Sequence, residues 1–66
     1  MNKEDRKQQI IDVIVREIPF VDIRRHSHNI ISLKLRALAE EFGIEESNKV
    51  IRTTKLKDIG WEEEYV

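Results

Sequence analysis

The sequence predicts a small all-α fold, a three-helix bundle, and two observations carry that prediction. Apolar residues recur at helical spacing in two long stretches, with Ile31, Leu35, Leu38 and Phe42 at i, i+4, i+7 and i+11 forming the tightest stripe. Pro19, Gly43 and Gly60 stand where those patterns stop, and both residue types end helices for steric reasons. Against it, KVIRTT, from Lys49 to Thr54, has β-branched content that would also suit a strand.

The first helix is expected from Lys3 to Ile18. Asn2 can cap it by accepting an orphan backbone N–H, and Glu4 and Asp5 fall in the first turn, where the helix dipole favours negative charge. Ile10, Ile11, Val13, Ile14, Val15 and Ile18 cover an arc wider than one neighbour needs, which predicts burial by two surfaces. Pro19 then biases Ile18 out of the helical region. The segment PFVDI reads as an extended connector, with Phe20, Val21 and Ile23 as apolar anchors.

A second helix is expected from His28 to Phe42, capped by Ser27, His28 or Asn29. Beside its main stripe runs another, Ile30, Leu33 and Ala37, with Lys34 and Glu41 between the two. Two stripes imply two neighbours, one of which could be a second copy of the chain. Gly43 suits the left-handed residue that closes a helix, with Ile44 supplying the apolar contact that often follows. Ser47 can cap a third helix running to Lys57, with Val50, Ile51 and Leu56 toward the core. Helix is favoured over strand there, although Thr53 and Thr54 are poor helix formers. Gly60 ends the pattern or a short continuation through LKDIG, and Trp61 has a large apolar body to lay on the core. Residues 1–61 thus form one domain, and 62–66 an acidic C-terminal tail.

With 66 residues, folding buries only about 60% of the surface the unfolded chain exposes, so a partner would add stability. Charged residues make up 38% and hydrophobic ones 39%, too apolar and too periodic for disorder. Cysteine is absent, which excludes disulfides, a thiol nucleophile and a cysteine-based zinc site, and suits a reducing cytoplasm. No apolar run approaches a membrane span, and MNKEDRKQQ lacks the apolar core of a signal peptide. A soluble, cytoplasmic protein is expected.

The net charge of −1 hides a segregated pattern. From Pro19 to Ala39 there are four Lys or Arg against one acid; Glu40 to Asn48 carries four acids; Lys49 to Lys57 carries four bases; Asp58 to Val66 carries four acids. Alternating blocks of this kind give orientation and association rate more than affinity.

Ala39, Gly43 and Ile44, with Leu38 and Phe42 at buried places, resemble the helix-turn-helix family over Leu35 to Ile51. In that family a small residue precedes the turn glycine by four positions and an apolar residue follows it. The family's next apolar position, six places after the glycine, is Lys49 here, with Val50 and Ile51 one and two places late, so the turn would be one residue longer. The resemblance implies a dimeric DNA binder that meets the major groove through Asn48, Lys49, Arg52, Thr53 and Lys55. Glu45 and Glu46 at the start of that helix oppose phosphate. FVDI, ALAEEFGIE and IRTT resemble scattered pieces of acyl carrier proteins. His28 stands where that family carries its phosphopantetheine serine, so no cofactor is implied.

Smaller motifs have bland explanations beside them. Arg24, Arg25, His26 and Ser27 form a basophilic kinase pattern, but Ser27 also serves as a helix cap. His26 and His28 are two ligands without the third that a metal site needs. Glu64, Tyr65 and Val66 suit a carboxylate-binding domain only as many chain ends do. There is no glycine-rich loop and no nucleophile with an evident base, so no enzyme, cofactor or metal is expected. The expected function is that of a small regulatory protein, of the style encoded by phages and mobile elements, docking onto a larger protein through Arg24, Arg25, Lys34 and Arg36. The alternative is the helix-turn-helix DNA binder.

Overall fold

The computed structural model describes residues 2–63. Its regular elements are α1 (Lys3–Glu17), a 3-10 turn (Ile18–Phe20), α2 (Arg25–Phe42), α3 (Ile44–Thr53) and α4 (Leu56–Ile59), and no strand occurs among the described residues. The fold is the expected small helical bundle, with the third expected helix divided into α3 and α4.

Asn2 caps α1 as expected: its side-chain oxygen accepts the Asp5 N–H at 2.9 Å. The connector is not extended. Ile18 stays helical at φ −52°, ψ −46°, and Val21 N–H reaches Ile18 O at 3.3 Å. Proline is tolerated there because it lies in the first turn of a 3-10 segment, where its missing N–H has no partner to lose. The helix α2 begins three residues earlier than the cap residues suggested. Arg24 is its N-cap, without a side-chain bond, and Ser27 lies inside the helix with its hydroxyl turned to α1.

The break at Gly43 is where the sequence places it, but its conformation differs. At φ 102°, ψ 152° the glycine is outside the left-handed helical basin, and it serves both as the end of α2 and as the N-cap of α3. Its N–H donates to Ala39 O at 3.0 Å and its carbonyl accepts from Glu46 N–H at 3.1 Å. Because α3 starts at Ile44, Ser47 is no cap; it faces the core at 5% exposure. Glu45 and Glu46 occupy the first turn, where their charge suits the dipole. At the other end, Thr53 and Thr54 hydroxyls donate back to Lys49 O and Val50 O, each at 2.7 Å. Such back-bonding satisfies the last carbonyls and lets two poor helix formers close the helix. The Thr54 Oγ1 also accepts the Leu56 N–H at 3.3 Å, which starts α4.

Ile10 and Ile14 of α1, Ile31, Leu35 and Leu38 of α2, Val50 and Ile51 of α3 and Leu56 of α4 form the buried core. Ile11, Ile18, Val21, Phe42 and Trp61 pack around it. The wide arc of α1 is only partly used, since Val15 is 48% exposed, and Ile23 is no anchor at 75%. Helix α2 is central: it packs on α1 along one side and on α3 along the other. Outside the core, Arg6 donates to both oxygens of Glu41 at 2.7 and 2.6 Å, tying α1 to α2. This contact holds the Glu41 carboxyl below the usual carboxylate range, chiefly through the hydrogen bond from Arg6. No helix among the described residues is long and apolar enough to cross a membrane.

Candidate binding surfaces

Two flanks of α2 are spoken for by its neighbours, and the third side is open. On the 3.6-residue period, Arg25, Asn29, Leu33 and Arg36 lie away from the Ile31–Leu35–Leu38 stripe, and all four are exposed. Leu33, at 65% exposure, is the apolar centre of this face, with Arg25 and Arg36 about 16 Å apart along the axis. Ile23, the most exposed large apolar side chain among the described residues, stands just before the helix. Arg24 lies beside it, its guanidinium carbon 4.4 Å from the Phe20 ring centroid in a cation–π contact.

The four expected docking residues are therefore not one cluster. Arg24, Arg25 and Arg36 are exposed on or beside the open face. Lys34 is half-buried on the α1 side, in a shallow groove with Arg6, Gln9, Ile10, Val13 and Ala37. Arg36 also pairs with Glu40 at 3.1 Å, one turn on.

Behind Arg36 and Glu40 lies a cleft of about 600 Å³ between α2 and α3. Leu35, Ala39, Ile44 and Ile51 form its apolar walls and Trp61 stands at its edge. Trp61 packs against the core as expected, and its ring also stacks on His28 with centroids 4.5 Å apart. His28 thus takes an aromatic partner, and no group of three potential metal ligands converges among the described residues.

The residues expected to read DNA are also divided. Lys49, Arg52, Thr53 and Lys55 are exposed. Asn48 is not on their face: at 1% exposure its side chain is buried and partnered, out of reach of any base edge. Thr53 spends its hydroxyl on Lys49 O. The turn between α2 and α3 is one residue, Gly43, where the helix-turn-helix has three or four. It is shorter than the family's, whereas the phase of Val50 and Ile51 predicts a longer one. Glu46 is within 3.6 Å of Lys7 on α1, and Glu45 is exposed.

Two arrangements had no periodic signal in the sequence. Ser27 Oγ donates to Glu17 Oε1 at 2.9 Å, both side chains buried, so the kinase-like Arg-Arg-His-Ser pattern ends on a serine with 0% exposure. Glu63, within the expected acidic tail, is sunk to 10% side-chain exposure between Arg52 and Lys57. The chain-end motif Glu64, Tyr65, Val66 lies outside the described residues.

Compared with protein-family models, curated proteins and solved structures, the chain matches none.

Proposed function

We propose that the chain is a non-catalytic regulatory module of the cytoplasm that docks onto a larger protein through the open face of α2. The observation that carries this reading is Leu33: a large apolar side chain 65% exposed in the middle of a long helix, flanked by Arg25 and Arg36, with Ile23 75% exposed at the helix start. Burying an exposed leucine fully is worth about 1.5–3 kcal/mol, so Leu33 and Ile23 supply the apolar part of an interface. The surrounding arginines set the partner's chemistry: an acidic surface around an apolar depression, which arginine can meet with two-pronged bonds. Arg36 and Glu40 edge both this face and the cleft, so a partner laid along α2 reaches the apolar walls behind them. The size and charge of the chain fit a host-directed protein of a phage or mobile element.

A photo-crosslinking side chain placed at position 33, in the cell of origin, tests the reading against the same probe at Gln8, an exposed position on α1. One stoichiometric crosslinked protein is expected from position 33 and none from position 8. Arg25→Glu with Arg36→Glu should abolish it. Adducts that are the same at both positions, or unaffected by the charge reversals, sink the proposal.

A further inference from the structure

The clearest unassigned arrangement is the seat of Glu63. The chain leaves α4 through Gly60 at φ 120°, and Trp61 N–H donates back to Leu56 O at 3.0 Å, which turns the following residues toward α3. Two residues later the Glu63 carboxylate meets a cation at each oxygen: Arg52 Nη1 at 2.8 Å from Oε1, and Lys57 Nζ at 3.8 Å from Oε2. The two cations come from different helices. The carboxylate side chain is 10% exposed, whereas Arg52 and Lys57 are 53% and 62% exposed. Lys49 and Lys55 are also exposed, and the stretch 49–57 contains four cations and no acid.

Two cations placed to take two oxygens of one anion suit a phosphate group as well as a carboxylate. Arg52 and Lys57 both reach solvent, so each can exchange Glu63 for another anion. We propose that Arg52 and Lys57, extended by Lys49 and Lys55, are a phosphate-binding face for the backbone of a nucleic-acid duplex, occupied in cis by Glu63. The C-terminal segment then competes with the phosphates for the same two cations. A tethered competitor acts at an effective concentration in the millimolar range, which depresses apparent affinity without contacting the nucleic acid. The face is indifferent to sequence: Asn48 is buried, Thr53 has spent its hydroxyl internally, and the exposed cations Lys49, Arg52, Lys55 and Lys57 are followed by the exposed acids Asp58 and Glu62. Glu45, one turn before Lys49, marks its boundary. Arg52 on α3, Lys57 on α4 and Glu63 beyond α4 are all distinct from the residues of the open α2 face.

The test is fluorescence anisotropy of a labelled 20-base-pair duplex of mixed sequence, titrated with the full chain across a salt series. Glu63→Gln should bind about tenfold tighter than the unsubstituted chain at the lowest salt. Asp22→Asn, the same change of net charge at an exposed position between α1 and α2, should bind as the unsubstituted chain does. Neutralising Arg52 and Lys57 together should weaken binding and erase the gain from Glu63→Gln. In the unsubstituted chain, duplex that displaces Glu63 should alter the emission of Trp61, the single tryptophan, which requires no variant to fold. The proposal is overturned if Glu63→Gln binds no tighter than the unsubstituted chain. It is equally overturned if the gain survives without Arg52 and Lys57, if Trp61 emission is unchanged at saturation, or if no duplex is bound at the lowest salt.

Discussion

Replacing Gly43 by alanine isolates the cost of the single-residue link between α2 and α3. A Cβ built at this position meets no atom within 4 Å, so the penalty is not a clash with a neighbour. It is conformational: φ 102° with ψ 152° is a region that L-residues rarely enter, and holding one there costs about 1–3 kcal/mol. Alanine also reduces the entropy of the unfolded chain, which returns about 0.4–1 kcal/mol where the native backbone is compatible. A net loss of about 1–2 kcal/mol follows, against a total of about 3–10 kcal/mol for a chain of this length. Tm should fall by roughly 5–15 °C. Chemical synthesis permits the decisive control, because D-alanine at this backbone is the mirror image of an L-residue at the edge of the extended region. Urea melts should therefore rank D-alanine at or above glycine, and L-alanine well below. An L-alanine variant within about 0.5 kcal/mol of the parent, or a D-alanine variant equally destabilised, would refute the strain argument.

Two further expectations concern the ties between α1 and α2. Ser27→Ala deprives the buried Glu17 carboxylate of its donor and should cost about 1–3 kcal/mol in urea melts; a cost below about 0.5 kcal/mol would mean the carboxylate had found another partner. The Arg6–Glu41 contact should make stability pH-dependent on the acid side. Because the folded Glu41 carboxyl titrates below its unfolded value of about 4.3, the stabilisation is complete above that pH and is lost as pH falls through the folded value. The gap in urea midpoint between the parent and Arg6→Gln should accordingly be wider at pH 6 than at pH 3, and a gap independent of pH would contradict this assignment.

Much of the architecture follows from short-range signals. Asn2 caps as its side chain permits, and Ile31, Leu35 and Leu38 bury as their spacing requires. Local rules mislead where a polar residue has two uses. Ser27 and Ser47 both have the chemistry of caps, yet each is buried inside a helix, and the helices begin at residues with no capping side chain. Asn48 is buried because it stands three residues before Ile51 and shares its core-facing side of α3. The pairing of Arg52 with Glu63 does not follow from helical spacing, because α3 ends at Thr53 and the turn at Gly60 intervenes. The exposed face of α2 was partly visible as a second stripe, but which of its residues α1 covers depends on the packing of the two helices.

The central position of α2 also bears on how the chain reaches this structure. Each helix packs mainly on its neighbour in sequence, α1 on α2, α2 on α3 and α3 on α4, so few loops must close over long stretches before native contacts form. Helical proteins of such low contact order fold in about microseconds to milliseconds. The contact of α1 with α2 closes only the short 3-10 connector between them, so the open face of α2 is set by the docking of two adjacent helices.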